Sequence, residues 1–294
     1  MITKLTALPW SGSFIAVLLV LCSGTPAAYG GADPILTGLK HIKVIASTVP
    51  ANGDVNPYGM AQVQHTVGKL TNGHILVSNF NNATNAQGTG TTIVDIAPDG
   101  TQSLFAGLDA KSLPGTCPGG LGLTTALVVL NEGWVIVGSL PTSNGKSPSA
   151  KAGCLIVLDS MGTPVETFYG SLINGPWDMT AAESNGKATL FFTNVLNGTV
   201  AAQGKVVHGG TVVRANLDLA GSQMPVLESL TVIASGLSER TDPAALVLGP
   251  TGVALSAPCE NDSNCAQAVL YVADTLNNRI QVITQPFDRD DTDG

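Results

Sequence analysis

Gly175-Pro176-Trp177-Asp178, then Leu190-Phe191-Phe192-Thr193, Thr211-Val212-Val213-Arg214-Ala215 and Leu230-Thr231-Val232-Ile233-Ala234, is the clearest copy of a cassette that decides the fold. A proline-led opening is followed by short runs rich in β-branched and aromatic residues, separated by Gly, Asn and Ser. Such runs read as strands. The opening returns as Asn56-Pro57-Tyr58-Gly59, Cys117-Pro118-Gly119-Gly120 and Asp242-Pro243-Ala244-Ala245, so that successive prolines stand 61, 58 and 67 residues apart. Second runs follow at Ile75–Ser78, Trp134–Gly138 and Leu270–Ala273, and third runs at Thr92–Ile96, Leu155–Asp159 and Arg279–Ile283. Fourth runs occur at Ser103–Ala106 and Val165–Phe168, but none follows Ile283.

A four-strand unit repeated along a chain is the pattern of propeller blades, which protect sheet edges by radial repetition. The expectation is an all-β propeller of four-stranded antiparallel blades over residues 31–287, with about four blades present. Ile42-Lys43-Val44-Ile45-Ala46-Ser47-Thr48 matches Leu230-Thr231-Val232-Ile233-Ala234-Ser235-Gly236. It is therefore expected to be a stray fourth strand that closes the ring on the last blade.

Composition agrees. Only 12% of residues are charged and 34 are glycine, against about 25% charged in ordinary soluble domains, which disfavours helical bundles built on Glu, Lys and Ala. A net charge of −8 leaves no basic footprint for nucleic acid. Phe14–Cys22 is an unbroken apolar run followed by the small residues Ser23-Gly24-Thr25-Pro26-Ala27-Ala28. Residues 1–30 thus read as a secretory signal peptide, too short in its apolar core for a membrane span. A lipid anchor on Cys22 is the alternative, disfavoured by Leu21 before it. Export, to the periplasm, the cell envelope or the medium, makes the remaining Cys117, Cys154, Cys259 and Cys265 disulfide candidates, paired 259 with 265 and 117 with 154. Residues 288–294 read as an acidic tail.

Tyr271-Val272-Ala273-Asp274-Thr275-Leu276-Asn277-Asn278-Arg279-Ile280 resembles the signature of NHL-repeat propellers, and the first and third units carry partial versions at Val77–Asn82 and Phe192–Asn197. The resemblance spans about ten residues as a motif and residues 41 to 285 as a pattern. It implies a six-bladed type with blades missing from this chain; a four-bladed ring fits the same strand count.

The second-to-third-strand connections are long in three units: Asn79 to Gly90, Ser139 to Gly153 and Asn194 to Gly210. Rich in Asn, Gly, Thr and Ser, they suit a neutral hydrogen-bonding face for a glycan, peptide or protein partner. Asn79, Asn81, Asn82, Asn194 and Asn197 are the candidate binding residues. No catalytic constellation and no cofactor is expected. Asp178 and Asp242, at the blade openings, are weak candidates for a metal in the central channel; capping of the turns is the plainer role. That channel supports the alternative function, a metal-dependent lactonase-like or lyase-like enzyme. His65 and His74, expected to face each other across the first hairpin, lack a third ligand. Asn82-Ala83-Thr84, Asn197-Gly198-Thr199 and Asn261-Asp262-Ser263 are glycosylation sequons.

Overall fold

The structure, a computed structural model, describes residues 35–220, 224–256 and 265–290. The expected leader, Cys22, Cys259, the Asn261 sequon and residues 291–294 of the tail lie outside them. The chain divides into residues 1–44 and 45–294. In the first unit a 3-10 turn spans Ile35–Gly38.

The second unit is all-β: four antiparallel sheets form the blades of a propeller around one axis. Blade 1 is β1 (Val55–Gln62), β2 (Ile75–Asn81), β3 (Thr92–Ile96) and β4 (Gln102–Gly107). Blade 2 is β5 (Leu123–Val129), β6 (Val135–Ser139), β7 (Cys154–Leu158) and β8 (Pro164–Phe168). Blade 3 has five strands: β9 (Pro176–Ser184), β10 (Lys187–Asn194), β11 (Val207–Asp218), the long β12 (Val226–Asp242) and the short β13 (Leu246–Leu248). Blade 4 is three-stranded: β14 (Pro250–Leu255), β15 (Val269–Asp274) and β16 (Arg279–Thr284). β1, β5, β9 and β14 run nearest the axis.

Side chains alternate across each sheet, so neighbouring residues serve different junctions. Phe192, with Leu190 and Val213, packs on Ile136, Leu155 and Val157 of blade 2, whereas Phe191 joins Val212, Val253, Leu270 and Val272 between blades 3 and 4. Leu76 and Ile93 of blade 1 meet Leu123, Leu127, Val137 and Ile156 of blade 2. Inner strands touch at these three junctions; no comparable contact joins β1 to β14.

Two expectations are corrected here. Residues 39–54 form no strand, and blade 4 gains none from them. Ala46 instead packs against Val77, Val94 and Ile96, the outward flank of blade 1, and Thr48 O accepts a bond from Asn79 Nδ2. The blade openings also shift. Pro57 pairs with Asn79 and Pro176 with Asn194, but the equivalents in blades 2 and 4 are Leu123 opposite Ser139 and Pro250 opposite Asp274, not Pro118 and Pro243. Pro243 lies in the turn between β12, which contains the expected run Leu230–Ala234, and β13, a strand the repeat does not anticipate.

Cys117 and Cys154 form a disulfide across blade 2, as expected. Cys265 is disulfide-bonded as well. The end of the expected propeller and the start of the expected tail are clamped: Arg214 Nη1 donates to Pro286 O and Arg289 O, Arg214 Nη2 lies 3.5 Å from Asp290, and Phe287 packs edge-on against Phe191.

Candidate functional site

Every inner strand departs from regular pairing at the same place. The register shifts between Pro57 and Met60, between Leu123 and Leu127, opposite Phe192 and Asn194, and between Pro250 and Val253. A bulge bends its strand and re-aims side chains, which is why bulges gather beside sites. In blades 2, 3 and 4 the bulge frees an inner-strand carbonyl, and a hydroxyl of the preceding blade bonds to it. Ser78 Oγ donates to Thr124 O, Thr125 Oγ1 to Trp177 O, and Thr193 Oγ1 to Thr251 O. Gly59 permits the first contact, because a Cβ there would stand 2.6 Å from Ser78 Oγ and 2.9 Å from Leu127 Cβ.

The residues around these bulges line a central cleft of about 480 Å³, bounded by Tyr58 and Met60 on one side and Thr251 to Leu255 on the other, with Thr125, Trp177 and Asp178 between. Tyr58 stacks on Phe80 with centroids 4.6 Å apart, and both meet the edge of Trp177. Leu246 and Val247 of β13 are buried with these rings. Leu246 holds φ at 66°, uncommon for a side chain of that bulk, so packing on the aromatic cluster fixes a backbone shape the residue alone disfavours.

Among the described residues Asp178 is the sole acid lining the cleft. Its Oδ2 accepts from Val253 N at 2.8 Å, and burial pushes its carboxyl up to about 6 despite bonds from Val253 N and Met179 N. A second recess of about 490 Å³ shares Met60, Leu127, Met179 and Thr180 and leads to Glu183. Burial raises Glu183 too, against a bond from Asn131 N. Asp178 and Glu183 both lie on β9, and five residues of strand separate them by about 16 Å. Two-carboxylate glycoside chemistry needs roughly 5–9.5 Å.

Asp242 is placed elsewhere. It accepts from Ala244 N and Ala245 N, pairs with Arg240 at 2.9 Å, and is held below the usual carboxylate range by those bonds. It is not among the residues lining the cleft with Asp178. Among the described residues no group of three or more His, Cys, Asp or Glu gathers as metal ligands. His74 binds Asp95 at 2.9 Å, while His65 is exposed.

The asparagines divide in two. Asn79 and Asn194 are buried at equivalent positions and tie loops to the scaffold: Asn79 Nδ2 donates to Thr48 O and Thr92 Oγ1, and Asn194 Nδ2 to Leu172 O and Thr211 Oγ1. Ser139 and Asp274 fill the same register in blades 2 and 4. Asp274 is the Asp of the NHL-like segment. Burial opposes its charge, but bonds from Asn277, Arg279 and Gln281 outweigh that and lower it. Asn197 is half-buried and bonded to Asn174 and Gly209 O. Asn82, also half-buried, accepts from Thr84 and Ala86 in its own loop.

Asn81 is different. Though buried, it links Asn56 and Asn85: Asn56 Nδ2 donates to Asn81 Oδ1 at 3.3 Å, and Asn81 Nδ2 to Asn85 Oδ1 at 2.7 Å. These three, with Tyr58, Gln87 and Ala244, line an open pocket of about 430 Å³. Asn56 and Asn85 both take left-handed backbone conformations, φ 65° and 60°, which asparagine tolerates better than most residues. Sequence reading found Asn81 but missed Asn56, Asn85 and Gln87; positive φ at Asn leaves no periodic signal.

The fold and these recesses define the chain as a four-bladed β-propeller with an axial cleft. No family model and no curated protein sequence matches the chain, so the NHL resemblance gains no support beyond the residues that suggested it. Among solved structures it is similar to a GH93 alpha-L-arabinofuranosidase of Fusarium graminearum, at 13% identity and TM-score 0.40, covering 76% of this chain and 64% of that one. It is also similar to an alpha-L-arabinanase of Penicillium chrysogenum (12% identity, TM-score 0.44, 84% and 69% covered). A third is a GH32 beta-fructofuranosidase of Bombyx mori (10% identity, TM-score 0.35, 80% and 50% covered). Likeness at this level says nothing of a shared reaction or ligand.

Proposed function

We propose that this chain is an exported propeller that acts as a binding module, taking its ligand at the axial cleft and the polar rim beside it. One observation carries the reading: among the described residues the cleft has a single carboxylate, Asp178, and one of its oxygens already serves Val253 N. What remains around it is aromatic and hydroxyl surface from Tyr58, Trp177, Thr125, Thr180 and Thr251. Such surface favours recognition over acid–base chemistry. The apolar leader run and the Cys117–Cys154 bridge support export.

A metal-dependent lactonase-like or lyase-like enzyme is the second reading. The rise of Asp178 to about 6 favours it, since a buried acid poised near neutrality suits a general acid or base. The two readings separate in one assay. Purified protein is incubated with chromogenic glycosides, esters and lactones, with and without added Ca²⁺ or Zn²⁺. The binding module gives no turnover above background. Turnover that disappears in Asp178→Asn would overturn it in favour of the enzyme.

A further inference from the structure

The pocket formed by Asn56, Tyr58, Asn81, Asn85, Gln87 and Ala244 has a composition that narrows its occupant. Among the described residues no lining side chain carries a formal charge, so neither a phosphate nor a carboxylate finds a counter-charge there, and neither does an ammonium group. Its volume of about 430 Å³ lies within the ~300–1,000 Å³ of small-molecule sites. A peptide that adds as a strand needs an unpaired sheet edge to follow, and this lining is instead a set of side chains.

The polar atoms are held in place before any ligand arrives. Asn81 engages Asn56 and Asn85 through its amide, and Gln87 Nε2 donates to Ala244 O at 3.0 Å. Asn56 Oδ1, Asn85 Nδ2, Gln87 Oε1 and the Tyr58 hydroxyl have no partner among the described residues. Two of them accept only, one donates only, and the phenol does both. Vicinal hydroxyls, each donating and accepting, match that mixture. The Tyr58 ring, pinned by Phe80 and Trp177, supplies a rigid apolar wall. Fixing donors and ring in advance reduces the ordering cost of binding.

We propose that this amide-lined pocket is a binding site for a neutral carbohydrate, with Asn56, Asn85, Gln87 and Tyr58 making the contacts. The proposal rests on the binding-module reading and names its ligand class. Titration of the full-length chain with glucose, galactose, xylose, N-acetylglucosamine and cellobiose, followed by calorimetry and by tryptophan fluorescence, tests it. At least one sugar is expected to saturate with a dissociation constant of about 0.1–10 mM. Asn85→Ala, at an exposed side chain, and Tyr58→Phe, which keeps the ring, should each weaken that binding about 5- to 10-fold with the melting temperature preserved. Absence of saturable binding by every neutral sugar up to about 100 mM would overturn the proposal. So would binding that both variants leave unchanged. The titration reads binding alone, whereas the chromogenic assay reads turnover. Failure of the binding-module reading and failure of this sugar site therefore show up in different measurements.

Discussion

The outward flanks of the first and fourth blades begin from the same kind of strand and end differently. On blade 1, Val77, Val94 and Ile96 are nearly free of solvent, and Ala46 packs against them. On blade 4, Tyr271, Ile280 and Val282 stand 44%, 61% and 57% exposed. The polar detail differs as well. Ser78 and Thr193 hand a hydroxyl to the following blade, and the register position that would do so on blade 4 is Ala273. Apolar alternation therefore builds the sheet, while burial of either face depends on what the rest of the chain lays over it.

That contrast can be broken most strongly inside a packed junction. Phe191→Ala removes a fully buried ring between blades 3 and 4 and is expected to cost about 3–5 kcal/mol in denaturant unfolding. Val94→Ala on the covered flank should cost less, about 1.5–3 kcal/mol. A loss near zero there would mean that Ala46 gives no real shelter.

A third probe is electrostatic. Glu239 lies buried beside the junction of blades 3 and 4, with Thr199 on Oε1 and no partner on Oε2 among the described residues. Burial pushes it up to about 7, so the folded state holds this proton more tightly than the unfolded chain does. Its stabilising effect is complete below the ordinary glutamate range and falls away as pH rises through about 7. Glu239→Gln cannot titrate. Its stability relative to the parent should therefore improve by on the order of 1–3 kcal/mol between pH 5 and pH 8. The smallest effect belongs to the bare flank: Tyr271→Ser or Val282→Thr should shift stability by no more than about 0.5 kcal/mol. A larger loss would show that something covers this flank in solution.

Much of the propeller was legible because its strands are short, β-branched and bounded by turns. The run Thr92–Ile96 is β3 to the residue, and Ile75–Ser78, Val165–Phe168 and Arg279–Ile283 fall within β2, β8 and β16. The inner strands were not legible from their prolines. Leu123 stands where a proline was expected, and β13 was inserted before Pro250, so spacing pointed to Pro118 and Pro243 instead. The stray strand at Ile42–Thr48 failed for a related reason, since its apolar alternation does not say what it meets: Ile45 stays exposed, and Ala46 packs on a sheet face without pairing at any edge. At the site, composition identified Asn-rich loops but not which amides face inward. Asn79 and Asn194 are followed two residues later by Asn81 and Leu196, and only three-dimensional packing separates scaffold from pocket.

The placement of Ala46 bears on how the chain comes off the ribosome. Synthesis runs from the N-terminus, so the cover for the first blade emerges before the strands it shelters. Each later blade is likewise synthesised after the neighbour it packs on, and the exposed side of Tyr271 and Val282 is the last of these sheet surfaces to be made.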